Sequence, residues 1–179
     1  MRNLWSLFAT FLLCTLIAGC ASGVTRTITK PPTYKVSKTQ PVGAIVVSLT
    51  AEATGKAADN SQFSAESLKK QLEKSLIEDG LLNHSLVGKS PSILIEVKSM
   101  RVRSSFSAIM LGIMAGTDSI TGDIVIKDVL GKEVDRFEVS ASYGLGGFGG
   151  GQDDVRMGWL YEQFAKEVIS EITGKRKET

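Results

Sequence analysis

The chain has 179 residues, of which 42% are hydrophobic and 22% are charged, and its formal net charge is +2. This length suits about one globular domain, and the apolar content is sufficient for a core of its own. A charge so close to zero gives no electrostatic basis for binding nucleic acid, and the basic tail at 175–177 stands beside Glu178. We therefore predict no nucleic-acid partner.

Residues 1–19 have the pattern of a secretory signal. Arg2 is the only charged residue before position 26, and an apolar run occupies residues 4–17. A short basic start, an apolar stretch and small residues before a cleavage site are typical of such signals. The run is shorter than the roughly 20 residues that a membrane-spanning helix needs. We therefore predict a signal peptide that is removed.

Residues 17–20 read Ile-Ala-Gly-Cys, which resembles the lipobox of bacterial lipoproteins. The resemblance implies cleavage between Gly19 and Cys20, a diacylglycerol thioether on the Cys20 sulfur and an acyl chain on its amine. Two or more acyl chains would hold the protein stably at a membrane. Ala21 is not the aspartate that favours the inner membrane, so the resemblance implies the periplasmic side of a Gram-negative outer membrane. The alternative is an ordinary signal peptide with a chance cysteine.

The cysteine content agrees with this interpretation. The chain has two cysteines, Cys14 within the predicted signal and Cys20 at the predicted lipidation site. The mature domain would then have no thiol for a disulfide, a nucleophile or a thiolate metal site. We expect no metal and no cofactor apart from the lipid on Cys20.

The beginning of the mature chain is predicted as a tether followed by a domain. Residues 20–40 are rich in Ser, Thr, Lys and Pro, which indicates a flexible tether with room for a short edge strand at 24–29. The single domain is predicted over 41–179. Its first segment, 41–50, is a β-branched run that predicts a strand buried on both faces. The small and polar residues 51–62 are predicted as a loop.

Two helices are predicted from their caps and apolar spacing. The first begins at Ser64 and ends at Gly80, and the second begins at Asp153 and ends at Gly174. Apolar side chains recur at helical spacing in both. They are Leu68, Leu72, Leu76 and Ile77 in the first helix, and Met157, Leu160, Tyr161, Phe164, Val168 and Ile172 in the second.

Three strands at 92–102, 119–129 and 133–143 are predicted to form a meander, with a tight turn at 130–132 between the last two. The element order is therefore β-α-β-β-β-α. This order favours an α+β fold, a two-layer sandwich with two helices on one face of a mostly antiparallel sheet.

Residues 144–149 match the pattern G-x-G-x-x-G of dinucleotide-binding loops. Asp153 and Asp154 would lie where the anionic phosphates bind, and no second strand of a βαβ unit follows. We therefore interpret the segment as a glycine-rich hinge or strand bend. His84 is the only histidine, and no pair of carboxylates stands out as an acid and base, so we predict that the protein is not an enzyme.

Residues 106–116 are apolar and rich in methionine, although they connect two predicted strands. Such a segment is typical of an adaptable binding surface. The alternatives are extra core under the sheet and an extension of the hairpin. We also expect the glycine-rich segment to meet it in space. The candidate partner-binding residues are Ile109, Met110, Leu111, Ile113, Met114 and Phe148.

Residues 116–122 and 141–158 are similar to a family of uncharacterised proteobacterial lipoproteins that is described only as a domain of unknown function. The similarity extends over most of the mature chain and implies no catalytic residues. The element order also resembles the small α/β domains of the curli-secretion lipoprotein and of the Tol-system protein's N-terminal region. That likeness implies assembly or protein contact, on fold analogy.

The sequence as a whole favours a membrane-anchored, periplasm-facing lipoprotein that binds or assembles a cell-envelope component. An unidentified envelope protein would be its partner. A carrier of a small apolar ligand is the first alternative. A periplasmic hydrolase is the second, and it would need His84 to meet a carboxylate and a serine.

Overall fold

The computed structural model describes residues 22–26, 34–60, 62–104, 107, 116–144 and 153–175. These residues form a five-stranded sheet, three α-helices and a short 3-10 helix. The strands are β1 (Gly23–Thr25), β2 (Ala44–Leu49), β3 (Ser92–Arg101), β4 (Asp118–Lys127) and β5 (Glu133–Tyr143). The helices are α1 (Ala51–Ala58), α2 (Ala65–Glu78) and α3 (Asp153–Thr173), with the 3-10 helix at His84–Leu86.

The sheet has the strand order β1-β5-β4-β3-β2. The β2–β3 pair is parallel, and the other three pairs are antiparallel. Alternate residues of β3 enter the core, so Ile93, Ile95 and Val97 are buried while Glu96 is exposed on the opposite face. The predicted α+β fold with a mostly antiparallel sheet is confirmed, with one helix more than expected.

Helix α2 begins and ends as its sequence predicts. The Ser64 hydroxyl accepts a hydrogen bond from the Ser67 amide at 3.1 Å, and Gly80 has a φ of 70° just beyond the last turn. Its leucines Leu68, Leu72 and Leu76 are fully buried. Ile77 was predicted on the same stripe, but half of its surface is exposed, because it lies one residue round from Leu76 and faces away from the sheet.

Helix α3 buries the whole predicted stripe from Met157 to Ile172 against β4 and β5. Close contact with the sheet depends on Gly122 in β4. A Cβ atom at this position would lie 3.4 Å from the Phe164 ring and 3.1 Å from the Glu96 carbonyl oxygen. The glycine therefore lets the aromatic ring of the helix pack directly on the strand.

The predicted loop at 51–62 is wrong for most of its length, because α1 occupies Ala51–Ala58. The Thr50 hydroxyl accepts a hydrogen bond from the Ala53 amide, and Lys56 pairs with Glu52 one turn earlier at 2.7 Å. Small alanines suit a helix that packs closely, and Ala53 is fully buried. Local capping and alanine content thus outweigh the presence of Gly55.

The prediction that the first long strand is buried on both faces is also wrong. β2 forms the edge of the sheet, and Val46 on its outer face is 51% exposed. Ile45 on the inner face is buried. A β-branched run is equally suitable for a half-buried edge strand, so composition alone does not distinguish the two.

The described parts of the predicted tether pack against the domain. β1 pairs with β5, and the backbone amide of the buried Val36 donates to the Ile172 carbonyl at 2.9 Å. Arg26 donates to Asp135 at 2.7 Å and to Glu171 at 2.6 Å. Its guanidinium also lies 5.1 Å from the centre of the Phe137 ring. The hydrogen bond with Asp135, followed by the one with Glu171, raises the pKa of Arg26 despite its partial burial.

Candidate functional site

One end of the sheet brings together the chain segments that flank both unusual sequences. β3 ends at Arg101, β4 begins at Asp118 and β5 ends at Tyr143. Asp118 and Tyr143 are direct partners in the antiparallel register. We call this end of the sheet, where Arg101, Asp118 and Tyr143 lie, the loop end. The opposite end of the same strands, with Lys127 and Glu133, is the far end.

The apolar segment and the glycine-rich segment both leave from the loop end. All six candidate partner-binding residues lie outside the described residues, as do their immediate neighbours. They are Ile109, Met110, Leu111, Ile113, Met114 and Phe148. The flanks of the two segments are adjacent, since Asp118 pairs with Tyr143. That the two segments meet therefore stays a prediction, as does the choice between interface and core.

Three buried charged side chains form the base of the loop end. Arg103, Asp118 and Arg156 are 4%, 0% and 1% exposed. The Arg103 guanidinium donates to Asp118 Oδ2 at 2.9 Å, and the Arg103 backbone amide donates to Oδ1 at 2.7 Å. The Arg156 Nε atom lies 3.3 Å from Asp118 Oδ2. We call this group the buried ion cluster.

The buried ion cluster connects four parts of the chain. Arg156 donates to the Arg103 carbonyl oxygen at 2.9 Å and to Gln62 at 3.2 Å. Arg103 follows β3, Asp118 opens β4, Arg156 lies in the first turn of α3 and Gln62 precedes α2. Both flanks of the apolar segment and the helix that follows the glycine-rich segment are therefore held by one carboxylate and its two guanidinium partners.

Burial of these ions has a large desolvation cost, so the cluster stabilises the fold only while its partners remain in place. Breaking such a pair leaves a charge without compensation in a region of low polarity. In some proteins, buried ion groups select one arrangement of the chain. The cluster therefore fixes where the two loop segments begin and end.

Gly116 is the last residue of the apolar segment and lies two residues before the start of β4. Its φ is +86°, a backbone conformation that favours glycine. A Cβ atom there would also lie 2.8 Å from a guanidinium nitrogen of Arg101, but that exposed side chain can move aside. The backbone conformation is therefore what favours glycine at this position.

Beside the cluster, a groove of about 550 Å³ lies between the end of β5 and the middle of α3. Its lining includes Ser22, Ser142, Tyr143 and Trp159. The Ser142 amide donates to the Ser22 hydroxyl at 3.1 Å, and the Tyr143 and Trp159 rings lie 5.2 Å apart. The groove thus joins the beginning of the described chain to exposed aromatic surface.

His84 lies away from the loop end. It belongs to an exposed 3-10 helix whose Leu86 backbone contacts Gly43, just before β2 starts at the far end. Across the described ranges, no group of three or more His, Cys, Asp or Glu residues is placed to hold a metal ion. The same part of the chain has no helix with the length and apolar character needed to cross a membrane.

Sequence reasoning gave no role to the cluster residues Arg103 and Arg156. Asp118 and Arg156 both fall within the segments that carry the family resemblance. The available signal was an acidic residue at the start of an otherwise apolar strand, and an arginine on the apolar side of a helix beside Met157. Charged residues at core positions usually imply buried partners.

The fold and this site define an α+β domain with an open sheet and a buried charged cluster at the chain positions that flank two loop segments. The chain belongs to the family described as domain of unknown function (DUF4410), whose model matches residues 26–147. The matched range includes Arg103 and Asp118 but ends before Arg156. No curated protein matches the chain.

Two kinds of solved structure are similar in fold. PelC from Paraburkholderia phytofirmans, a dodecamer, has 8% identity and a TM-score of 0.46 over 89% of this chain and 100% of that chain. A variant of the same dodecamer with one leucine replaced by methionine has 11% identity and a TM-score of 0.44 over 85% and 96%. A minor lipoprotein from Acinetobacter baumannii has 13% identity and a TM-score of 0.43 over 76% and 95%.

Proposed function

We propose that this chain is a lipid-anchored protein of the Gram-negative envelope, facing the periplasm from the outer membrane. In this proposal its domain has no catalytic role and binds or helps to assemble another envelope component. The lipobox-like residues 17–20 support the anchor, and a thiol at Cys20 is the group that the lipid would need. An envelope protein is the expected partner.

The buried ion cluster is the observation that supports a binding role. It holds Arg103 and Asp118, which flank the apolar segment, and Arg156, which follows the glycine-rich segment. Binding residues are commonly placed on loops that a rigid scaffold positions. A charged base that fixes both loop segments at one end of the sheet meets this requirement.

The composition of the apolar segment supports the same role. Five of the candidate residues lie between two strands where a polar connection is usual: Ile109, Met110, Leu111, Ile113 and Met114. Methionine is flexible and polarisable, so it adapts to varied partner surfaces. We therefore assign the partner-binding surface to the loop end.

Crosslinking of the lipidated protein in its own membranes, followed by pull-down, tests this proposal. We expect one protein to be recovered in stoichiometric amount. Replacing Met110 and Ile113 by Ser should reduce its recovery severalfold, with little change in melting temperature. The matched control is Leu130→Ser, which removes an 89% exposed leucine at the far end.

Two results would contradict the proposal. If the control and the double variant recover equal amounts of the partner protein, the loop end is not the binding surface. A large loss of thermal stability in the double variant would place the apolar segment in the core. Mass spectrometry of the N-terminal peptide tests the anchor separately, because an unmodified Cys20 thiol would exclude it.

A further inference from the structure

The start of the described chain is fixed at the loop end. Gly23 pairs with Ser140 of β5, and the Ser22 hydroxyl accepts a hydrogen bond from the Ser142 amide at 3.1 Å. Because β1 runs antiparallel to β5, its first residue lies beside the last residues of β5. The chain before Ser22 therefore approaches the domain at the same end as Tyr143.

The predicted lipid attachment point is very close to this end. Only Ala21 separates Cys20 from Ser22, and an extended chain spans at most roughly 3.5 Å per residue. The Cys20 Cα atom thus lies within about 7 Å of the Ser22 Cα atom. If Cys20 carries lipid, the loop end is held next to the bilayer and the far end points away.

Exposed apolar and aromatic surface lies at this same end. Trp159 is 41% exposed and Val155, one helical turn earlier, is 45% exposed. The Trp159 ring packs against Tyr143 at 5.2 Å and lines the groove that also contains Ser22. A tryptophan with one polar edge is suited to the boundary between hydrocarbon and water.

The charges beside this surface have a small acidic excess. Lys166 and Glu162, which both line the groove, pair at 2.7 Å. Glu167 lines it too, and the exposed Asp154 adjoins Val155. An acidic surface is repelled by anionic headgroups, so zwitterionic lipid is the suitable contact. A protein partner would need no such placement beside the anchor, whereas a bilayer contact follows directly from the short chain between Cys20 and Ser22.

We propose that Trp159 and Val155, with Trp159 supported by the Tyr143 ring, dock on the surface of the bilayer in which the Cys20 lipid is embedded. This inference rests on the lipidation in the proposed function. The acyl chains hold the domain at the membrane, and the aromatic surface then sets its orientation, because a short connection gives the second contact a high effective concentration. Any protein partner would therefore approach the loop segments near the membrane plane.

Trp159 itself reports on this contact. The chain has two tryptophans, and the other, Trp5, lies in the predicted signal peptide. In the lipidated mature protein, reconstituted in zwitterionic phosphatidylcholine vesicles, tryptophan fluorescence then comes from Trp159 alone. We expect a shift of its emission to shorter wavelength and strong quenching by lipids that carry bromine or a doxyl group near the headgroup.

A matched reporter at the far end provides the control. The variant Trp159→Phe with Leu130→Trp moves the single tryptophan to the exposed β4–β5 turn. A ten-residue strand is about 34 Å long, so this turn lies far from the loop end. We expect severalfold weaker quenching of this reporter by the same lipids, and circular dichroism melting should show that both proteins are folded.

Different results identify which proposal fails. If mass spectrometry finds no lipid on Cys20, the proposed anchor and this inference both fail. If the lipidated protein sediments with vesicles but lipid quenchers affect both reporters equally, the anchor stands and the docking is overturned. Protection of Trp159 from aqueous quenchers without quenching by lipid would also overturn it, since a protein would then cover the surface.

Discussion

Two buried ion groups at opposite ends of the sheet have opposite compositions. At the loop end, among the described residues, one carboxylate, Asp118, lies between the guanidinium groups of Arg103 and Arg156. At the far end, one guanidinium, Arg26, lies between the carboxylates of Asp135 and Glu171. The first group is almost fully buried, whereas 17% of the Arg26 side chain is exposed to solvent.

The difference shows that similar chemistry serves two structural purposes. The loop-end group holds the flanks of segments that we assign to binding. The far-end group holds the three-residue strand β1 against β5 and the last turns of α3, and so determines where the predicted lipid attachment point emerges. The first arrangement holds the flanks of two loop segments, and the second holds the first described strand on the sheet.

The largest expected effect follows from removing the shared carboxylate. Asp118→Ala would take from Arg103 and Arg156 the buried carboxylate that they share. We expect a loss of about 3–5 kcal/mol in the free energy of unfolding, measured by urea denaturation. Asp123→Ala, which removes a partner of the exposed Lys98, is the control and should cost at most about 1 kcal/mol. Equal losses would show that the burial of the cluster has no special energetic role.

A smaller effect is expected at the far end. Arg26→Ala removes two ion pairs and the contact with the Phe137 ring, but partial solvent exposure reduces the penalty to about 1–3 kcal/mol. Hydrogen exchange of the β1 backbone should increase, whereas amides of β3 at the loop end should stay protected. Unchanged exchange in β1 would mean that backbone pairing alone holds this strand.

The smallest effect concerns Tyr161, whose hydroxyl accepts a hydrogen bond from the Ser64 amide at 2.8 Å. Burial raises the pKa of Tyr161 above its ordinary value of 10.0, despite that hydrogen bond. The Tyr161 hydroxyl therefore ionises at a lower pH in the unfolded chain than in the folded protein. Its contribution to stability is fully present below pH 10 and is lost as pH rises through its pKa in the folded state.

Urea unfolding at several alkaline pH values checks this dependence. Tyr161→Phe should lower stability by about 1 kcal/mol near neutral pH, because the Ser64 amide loses its acceptor. The variant should also show a shallower decline at high pH. Part of the decline will remain, since burial raises the pKa of Tyr34 as well. An identical slope in both proteins would contradict the assignment to Tyr161.

Local sequence patterns were sufficient to predict most of the helices and strands. β5 has the predicted bounds, and the stripe of α3 and the caps of α2 are as expected, because helical spacing and capping act within a few residues of each other. α1 was missed because its eight residues have few apolar side chains to show periodicity. The exposure of Val46 could not be predicted, since edge position depends on strand order.

For the candidate site, too, the sequence predicted some features and the folded structure was needed for others. The secretory signal and the lipidation of Cys20 come from the sequence and stay predictions, whereas the predicted α+β class is confirmed although α1 was missed. The unusual composition of the two loop segments is also visible in the sequence. The folded structure was needed to show that Arg103, Asp118 and Arg156 form one cluster, and that Ser22 and Trp159 lie at the same end. Those contacts join residues that are far apart in the chain, and they depend on strand order and on the packing of α3, which local patterns do not encode.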